Sequence, residues 1–211
     1  ADNMAAFYQE SDYENALLEL FEQHLGYEYV CGYHIDHNVK SPLYDEVLEE
    51  SIFRINKGKP YDAIKNALLT LKNFENGTLV QKNAVFTDYL QNGISARYTE
   101  NGEERSTLIY LIDWENIENN SFICANQWTF IENSNRRPDI LLFINGLPLV
   151  LIELKSPSRE DTDASEGYTQ IRNYMHEIPS MFYYNQICVM SDQLTSKAGT
   201  ITSDETRFME W

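Results

Sequence analysis

Residues Arg137 to Pro157 read Arg-Pro-Asp-Ile-Leu-Leu-Phe-Ile-Asn-Gly-Leu-Pro-Leu-Val-Leu-Ile-Glu-Leu-Lys-Ser-Pro. Asn145-Gly146 is a strong turn dipeptide, and it joins two nearly continuous apolar runs. Both runs are apolar on both sets of alternate positions, so neither face suits water and the pair belongs in the middle of a sheet. Three ionisable groups are set into it: Asp139 at the mouth of the first strand, and Glu153 and Lys155 on the second. With a side-chain period of two, Glu153 and Lys155 share one face while Ile152 and Leu154 take the other. A charge left unpaired there costs roughly several kcal/mol, so these groups must meet each other, a metal or solvent in a cleft. Two carboxylates with a lysine suit a hard divalent cation and a phosphodiester.

The register decides whether the acids converge. A plain two-residue turn pairs Ile144 with Leu147 and therefore Asp139 with Ile152, which puts Asp139 and Glu153 on opposite faces. Convergence needs a shift of one residue. Either a three-residue loop Asn145-Gly146-Leu147 pairs Ile144 with Pro148, or a bulge, or a bend at Asp139, brings Asp139 opposite Glu153.

The chain has 211 residues, 43% hydrophobic and 13% aromatic, enough for one sizeable core, so a single domain over 1–211 is expected. No run of about 18 apolar residues occurs and no basic-then-apolar leader opens the sequence, which predicts a soluble, cytoplasmic protein with no membrane span. Cys31, Cys124 and Cys188 lie far apart among apolar or aromatic neighbours and read as reduced thiols. Cys31, His34 and His37 are spaced like half a zinc site that no second cluster completes. The net charge of −17 argues against tight DNA binding by this chain alone and leaves room for other domains or subunits to hold the DNA.

Outward from the hairpin, the pattern predicts a first core helix over 11–26, with Leu17, Leu18, Leu20, Phe21 and Leu25 at helical spacing before Gly26. Glu14 sits one turn before Leu17 and Leu18 on its buried side, a first-turn acid that the helix dipole favours. A helical region follows over 45–93. Seven of the sixteen basic residues lie between Lys40 and Lys82, the spacing of a solvated helix surface or of a DNA approach. After Gly93 the period shifts to two, and strands are expected at 94–98, 106–114 and 122–131, leading into the hairpin, so that 94–202 holds a mixed sheet of about five strands. Asn135, Arg136 and Arg137 arrive at the entrance to Asp139, where arginine can hold phosphate. Beyond Pro157 come a polar loop containing Arg159 and a helix over 163–177 with a core stripe of Ala164, Tyr168, Ile171 and Met175, Gln170 and Tyr174 lying on the adjoining face. Short strands are expected at 186–191 and 198–202.

A bare Glu-x-Lys is ordinarily a strand end with an ion pair. Pro138-Asp139, thirteen residues of apolar hairpin and Glu153-Leu154-Lys155 in succession resemble the PD-(D/E)xK nuclease signature. The wording around it resembles the N-terminal nuclease domain of the restriction (R) subunit of type I restriction-modification enzymes, from about Glu14 to Trp211. The resemblance implies an α/β, restriction-endonuclease-like core with helices flanking a mixed sheet and an extra helical region before it. It implies Mg²⁺, replaceable by Mn²⁺, on Asp139 and Glu153 with the Leu154 carbonyl, Lys155 beside the attacking water, and Glu14 as an acid reaching the metal. Gln170 and Tyr174 are similar to a Gln-x-x-x-Tyr motif that RecB-like nucleases carry on the helix after Glu-x-Lys, where it packs by the catalytic residues. Arg136, Arg137 and Arg159 are the candidate DNA contacts. Double-stranded DNA and the methyltransferase (M) and specificity (S) subunits are the implied partners, and cutting is expected to be non-specific. No Gly-x-x-x-x-Gly-Lys-Ser/Thr occurs, so the ATP site of the whole subunit is expected outside this chain. The alternatives are a stand-alone RecB-like exonuclease or resolvase, which predicts a basic trench, and a nuclease-fold docking module without catalysis.

Overall fold

A computed structural model describes residues 10–155, 164–192, 196–203 and 207–210. Helix α1 (Glu10–His24) ends at Gly26, whose φ of +74° lets the Tyr27 N–H return to the Phe21 carbonyl at 3.0 Å. Strand β1 (Glu28–Cys31) and a short 3-10 turn (Gly32–His34) lead to helices α2 (Asp45–Ile55), α3 (Tyr61–Lys72) and α4 (Leu79–Asn92), the last opened by a reciprocal Thr78–Gln81 capping box. Then come β2 (Ile94–Glu100), β3 (Glu103–Ile109), β4 (Phe122–Asn126), β5 (Phe130–Ile131), β6 (Asn135–Arg136), β7 (Ile140–Ile144) and β8 (Leu147–Leu154). Helices α5 (Ala164–Glu177) and α6 (Pro179–Phe182) precede β9 (Ile187–Ser191), β10 (Ser196–Gly199) and β11 (Met209–Glu210). Among the described residues no helix is long and apolar enough to cross a membrane.

The main sheet is mixed, ordered β1-β4-β7-β8-β9-β10-β11, with β1 parallel to β4, β8 parallel to β9 and the other pairs antiparallel. The quoted hairpin, β7 and β8, is central, as its two-sided apolarity requires. Helix α1 covers one face, where Leu18 packs with Cys124, Ile140, Leu142, Ile152 and Leu154. Helix α5 covers the other, where Ile171 and Tyr174 meet Leu141, Leu151 and Met190. Each such fully buried side chain contributes about 1.5–3 kcal/mol relative to exposure.

The fold class follows the sequence reading, while the membership of the sheet differs. Strands β2 and β3 do not run into it but form a two-stranded sheet of their own, packed with α2, α3 and α4 around Leu48, Ile52, Ile64, Leu71, Phe86, Ile94 and Ile109. Strand β1, four residues reading Glu-Tyr-Val-Cys, is too short to show alternation and was not foreseen. The strand expected over 122–131 breaks at Gln127, which has φ +51°, into β4 and β5. The last expected strand, 198–202, starts earlier, at Ser196, and Thr200–Ser203 closes as a turn.

The turn of the central hairpin is embedded in the helical lobe. Asn145 is wholly buried with φ +52° and Gly146 has φ +78°. A Cβ on Gly146 would stand 2.5 Å from the Leu48 nitrogen and 2.6 Å from the Tyr44 oxygen, so only glycine fits. Of the seven basic residues between Lys40 and Lys82, Arg54, Lys65 and Lys72 pair with Glu50, Glu49 and Asp45, while Lys59 donates to Thr107 and Lys82 to Tyr183. Three of the seven are thus held in local ion pairs.

Candidate active site

The register carries the site. Ile144 faces Leu147 and Phe143 faces Pro148, as a two-residue turn demands, but Leu142 faces Val150 and Ile140 faces Ile152. Leu149 is the extra residue of a β-bulge, and it puts Asp139 opposite Glu153. Of the two ways foreseen to shift the register within the hairpin, the bulge occurs and the three-residue loop does not. Pro148, which cannot donate to the ladder, marks the spot, and the bulge lets both Leu147 and Leu149 enter the core of the helical lobe.

The two acids interlock across the strands. The Leu154 N–H donates to Asp139 Oδ2 at 2.7 Å, and the Asp139 N–H donates to Glu153 Oε1 at 3.2 Å. Glu153 is 4% exposed and Asp139 half-buried. Burial first, then the charge of Asp139, pushes the Glu153 carboxyl up to about 9. Burial also raises Asp139, against the Leu154 N–H, the hydrogen bond with Glu153 and the charge of Lys155. The pair therefore retains a proton at neutral pH, because two anions in so dry a place lack compensating charge.

Helix α5 supplies the third side. Tyr174, 5% exposed, shares side-chain hydrogen bonds with Glu153 and Gln170, and burial followed by the Glu153 charge raises its pKa, which keeps it a phenol. Its position corrects the sequence reading, which put it beside the core stripe. Tyr174 lies on the buried face with Ile171 and Ile178, whereas Tyr168 and Met175 pack only partly. Lys155, just beyond β8, donates its N–H to the Ser191 carbonyl at 2.8 Å, and its charge reaches Asp139. Alongside opens a polar cavity of about 510 Å³ lined by Thr129, Asn135, Arg136, Arg137, Gln170 and Tyr174.

The family's sequence profile, described as the N terminus of the type I restriction enzyme R protein, matches residues 7–207. The chain belongs to this family. Among its relatives is the HindI type I restriction enzyme endonuclease subunit of Haemophilus influenzae, 32% identical over 96% of this chain and 20% of that protein. A provisionally named type I restriction enzyme subunit of Methanocaldococcus jannaschii, the MjaIXP endonuclease subunit, is 34% identical over 94% of the chain and 20% of its own length. The SauCOLORF180P endonuclease subunit of a type I restriction enzyme from Staphylococcus aureus is 27% identical over 91% of the chain and 19% of its own length. The chain thus spans about one fifth of these family members.

Of the residues that the family resemblance singled out, Asp139, Glu153, Lys155, Gln170 and Tyr174 come together. Glu14 is half-buried on α1, the helix that covers the face opposite Glu153. Among the described residues no group of three or more His, Cys, Asp or Glu is gathered for a metal, so Glu14 does not join the acid pair. Arg137 is exposed and lines the cavity, Arg136 turns its fork onto Glu177, and Arg159 lies outside the described residues. His37 stacks on Trp128 with ring centroids 3.8 Å apart, so its ring serves packing. Sequence reasoning passed over Thr129 on the cavity wall and Ser191, whose hydroxyl bridges Tyr13 at 2.5 Å and Ser196 at 2.7 Å while its carbonyl holds Lys155. No local pattern marks these, since each contact joins distant parts of the chain.

The donors fit a hard divalent cation. Two carboxylates pressed together, each retaining oxygen lone pairs beyond its one backbone hydrogen bond, lack the positive charge that would let both ionise.

Proposed function

We propose that this chain is the Mg²⁺-dependent nuclease module of a type I restriction enzyme R subunit, hydrolysing phosphodiester bonds of double-stranded DNA. The observation that carries the reading is the bulge at Leu149, which sets Asp139 against Glu153 beside Lys155. Asp139, Glu153 and the Leu154 carbonyl would hold the ion, Mg²⁺ or Mn²⁺ in its place. Bound there, the cation supplies Lewis-acid polarisation of the scissile phosphate and acidifies a nearby water. The Lys155 ammonium orients the attacking water and offsets negative charge growing on the phosphorus oxygens. The water oxygen bonds to phosphorus, one phosphorus–oxygen ester bond breaks, and the departing oxygen takes up a proton. Tyr174 fixes the Glu153 carboxyl, Gln170 fixes the Tyr174 hydroxyl, and Arg137 faces the cavity where a phosphate would lie. Glu14, on the far side of the sheet, has no ligand role in this reading.

No stretch of the sequence resembles a base-reading element, which suits cleavage at arbitrary sequence after translocation driven by ATP at domains beyond this chain, in a cytoplasmic complex with M and S subunits. A stand-alone exonuclease would need a basic trench of its own. The net charge of −17 and the paired cations of the helical lobe favour the modular reading. The test replaces Asp139, Glu153 and Lys155 singly by alanine in the full-length subunit, reassembled into its complex. Each should lose at least about 100-fold in cleavage while ATP hydrolysis continues, and retained cutting by all three ends the assignment.

A further inference from the structure

Two adjacent arginines line the cavity beside the acids, and the fold uses them differently. Arg137 is exposed to it. Arg136 lays its guanidinium along the Glu177 carboxylate, one nitrogen donating to Oε1 at 2.8 Å and Nε donating to Oε2. That fork is geometrically the same one that would otherwise grip a phosphate.

Glu177 is the last residue of α5, three residues past Tyr174. The ion pair belongs to a longer seam. The Asn133 N–H and side-chain amide donate to the Glu177 and His176 carbonyls at 3.0 and 3.1 Å. The Ser180 N–H and hydroxyl donate to the Glu132 carboxylate at 3.0 and 2.9 Å. The ribbon made by β5 and β6 therefore grips the end of α5 on one side and, through Arg137 and Pro138, continues directly into Asp139. One short segment thus sets the position of Asp139 and that of the helix whose Tyr174 hydroxyl bonds Glu153.

We propose that Arg136 and Glu177 are positioning residues for the acid pair, fixing the Tyr174 hydroxyl against Glu153, and that Arg136 is not a phosphate contact. The ion pair is partly open to solvent, with side chains 41% and 28% exposed, so it adds little to global stability. Its leverage is geometric, because a misplacement of about 1 Å at a reacting centre costs about 100-fold in rate. The catalytic consequence rests on the nuclease reading, while the effect on Tyr174 does not.

The experiment compares Arg136→Glu, Glu177→Arg, the charge-swapped double variant and Tyr174→Phe. In the metal-free chain, the ring-carbon NMR signal assigned to Tyr174 should move in both single reversals and return in the swap. Mn²⁺ affinity by calorimetry at one fixed neutral pH should fall about tenfold in each single reversal, recover to within about threefold in the swap, and fall no further when Arg136→Glu is added to Tyr174→Phe. In the assembled enzyme the reversals should lower kcat and leave KM for DNA unchanged. A swap as impaired as the singles, an unmoved Tyr174 signal, or an Arg136→Glu variant that raises KM for DNA with Mn²⁺ affinity intact and Glu177→Arg silent, overturns the proposal. Should the wild type bind Mn²⁺ and yet not cut, the nuclease reading fails while the NMR and calorimetric results still decide this one.

Discussion

The two ends of one hairpin obey opposite rules. At the turn, Asn145 is wholly buried and its side chain is fully used: it donates to the Leu111 carbonyl and Asn120 Oδ1, each at 2.9 Å, and accepts from the Ser121 N–H at 2.7 Å. The Gly146 carbonyl accepts from the Tyr44 N–H at 2.9 Å, so the helical lobe holds the turn by main chain as well. About 20 Å away along strands that rise about 3.3 Å per residue, the same pair of strands ends in two carboxylates whose pKa values burial raises, that of Glu153 further by the charge of Asp139. One end satisfies every polar group it buries. The other leaves a charge deficit that an external cation is suited to fill, and the Leu149 bulge between them sets the register of the second end without disturbing the first.

The contrast breaks most severely at Gly146. Gly146→Ala forces a Cβ against the α2 backbone at positive φ, and should destabilise the chain by at least about 4 kcal/mol in urea unfolding. A loss under about 1 kcal/mol would mean that the turn is not seated as described. Next comes Asn145→Ala, which strands the Leu111 carbonyl and the Ser121 N–H and removes one of the bonds to the Asn120 side chain. The expected loss is about 3 kcal/mol, with Mn²⁺ affinity unchanged by calorimetry if the two ends are separable as argued.

The acid end should behave in the reverse sense. The native Glu153 carboxyl holds its proton up to about 9, whereas the unfolded chain releases it near the ordinary carboxylate value. Between those limits the native state binds more protons, so the stability of the metal-free chain, complete at acid pH, falls as pH rises through the window. The slope from this group is at most about 1.4 kcal/mol per pH unit. Glu153→Gln should flatten that dependence and be more stable than the wild type at mildly alkaline pH while losing cleavage, the trade expected of a functional carboxylate. Parallel stability curves for variant and wild type would show that Glu153 is not held protonated.

How much of this was readable in advance divides along the same line. The hairpin, its central position and its acids follow from apolar runs of known period around Asn145-Gly146, because those signals are local. The bulge was foreseen as one of several ways to bring the acids together, and Pro148 was the available sign that it would prevail. Strand β1 escaped notice because four residues cannot display a period. Tyr174 was set on the face adjoining the stripe because helix periodicity alone leaves the rotation of α5 uncertain by a position, which its packing with Leu141, Leu151 and Met190 settles. The Arg136–Glu177 pair joins residues 41 positions apart, and nothing in either segment alone announces the other.

The measurement that goes to the centre of the account is a crystal of this chain grown in Mn²⁺ and recorded at the manganese absorption edge. An anomalous peak should lie between Asp139 and Glu153, within about 2–2.5 Å of an oxygen from each, and vanish in Asp139→Asn. A saturating soak with no peak at that pair, or with the ion held by other residues, would contradict it.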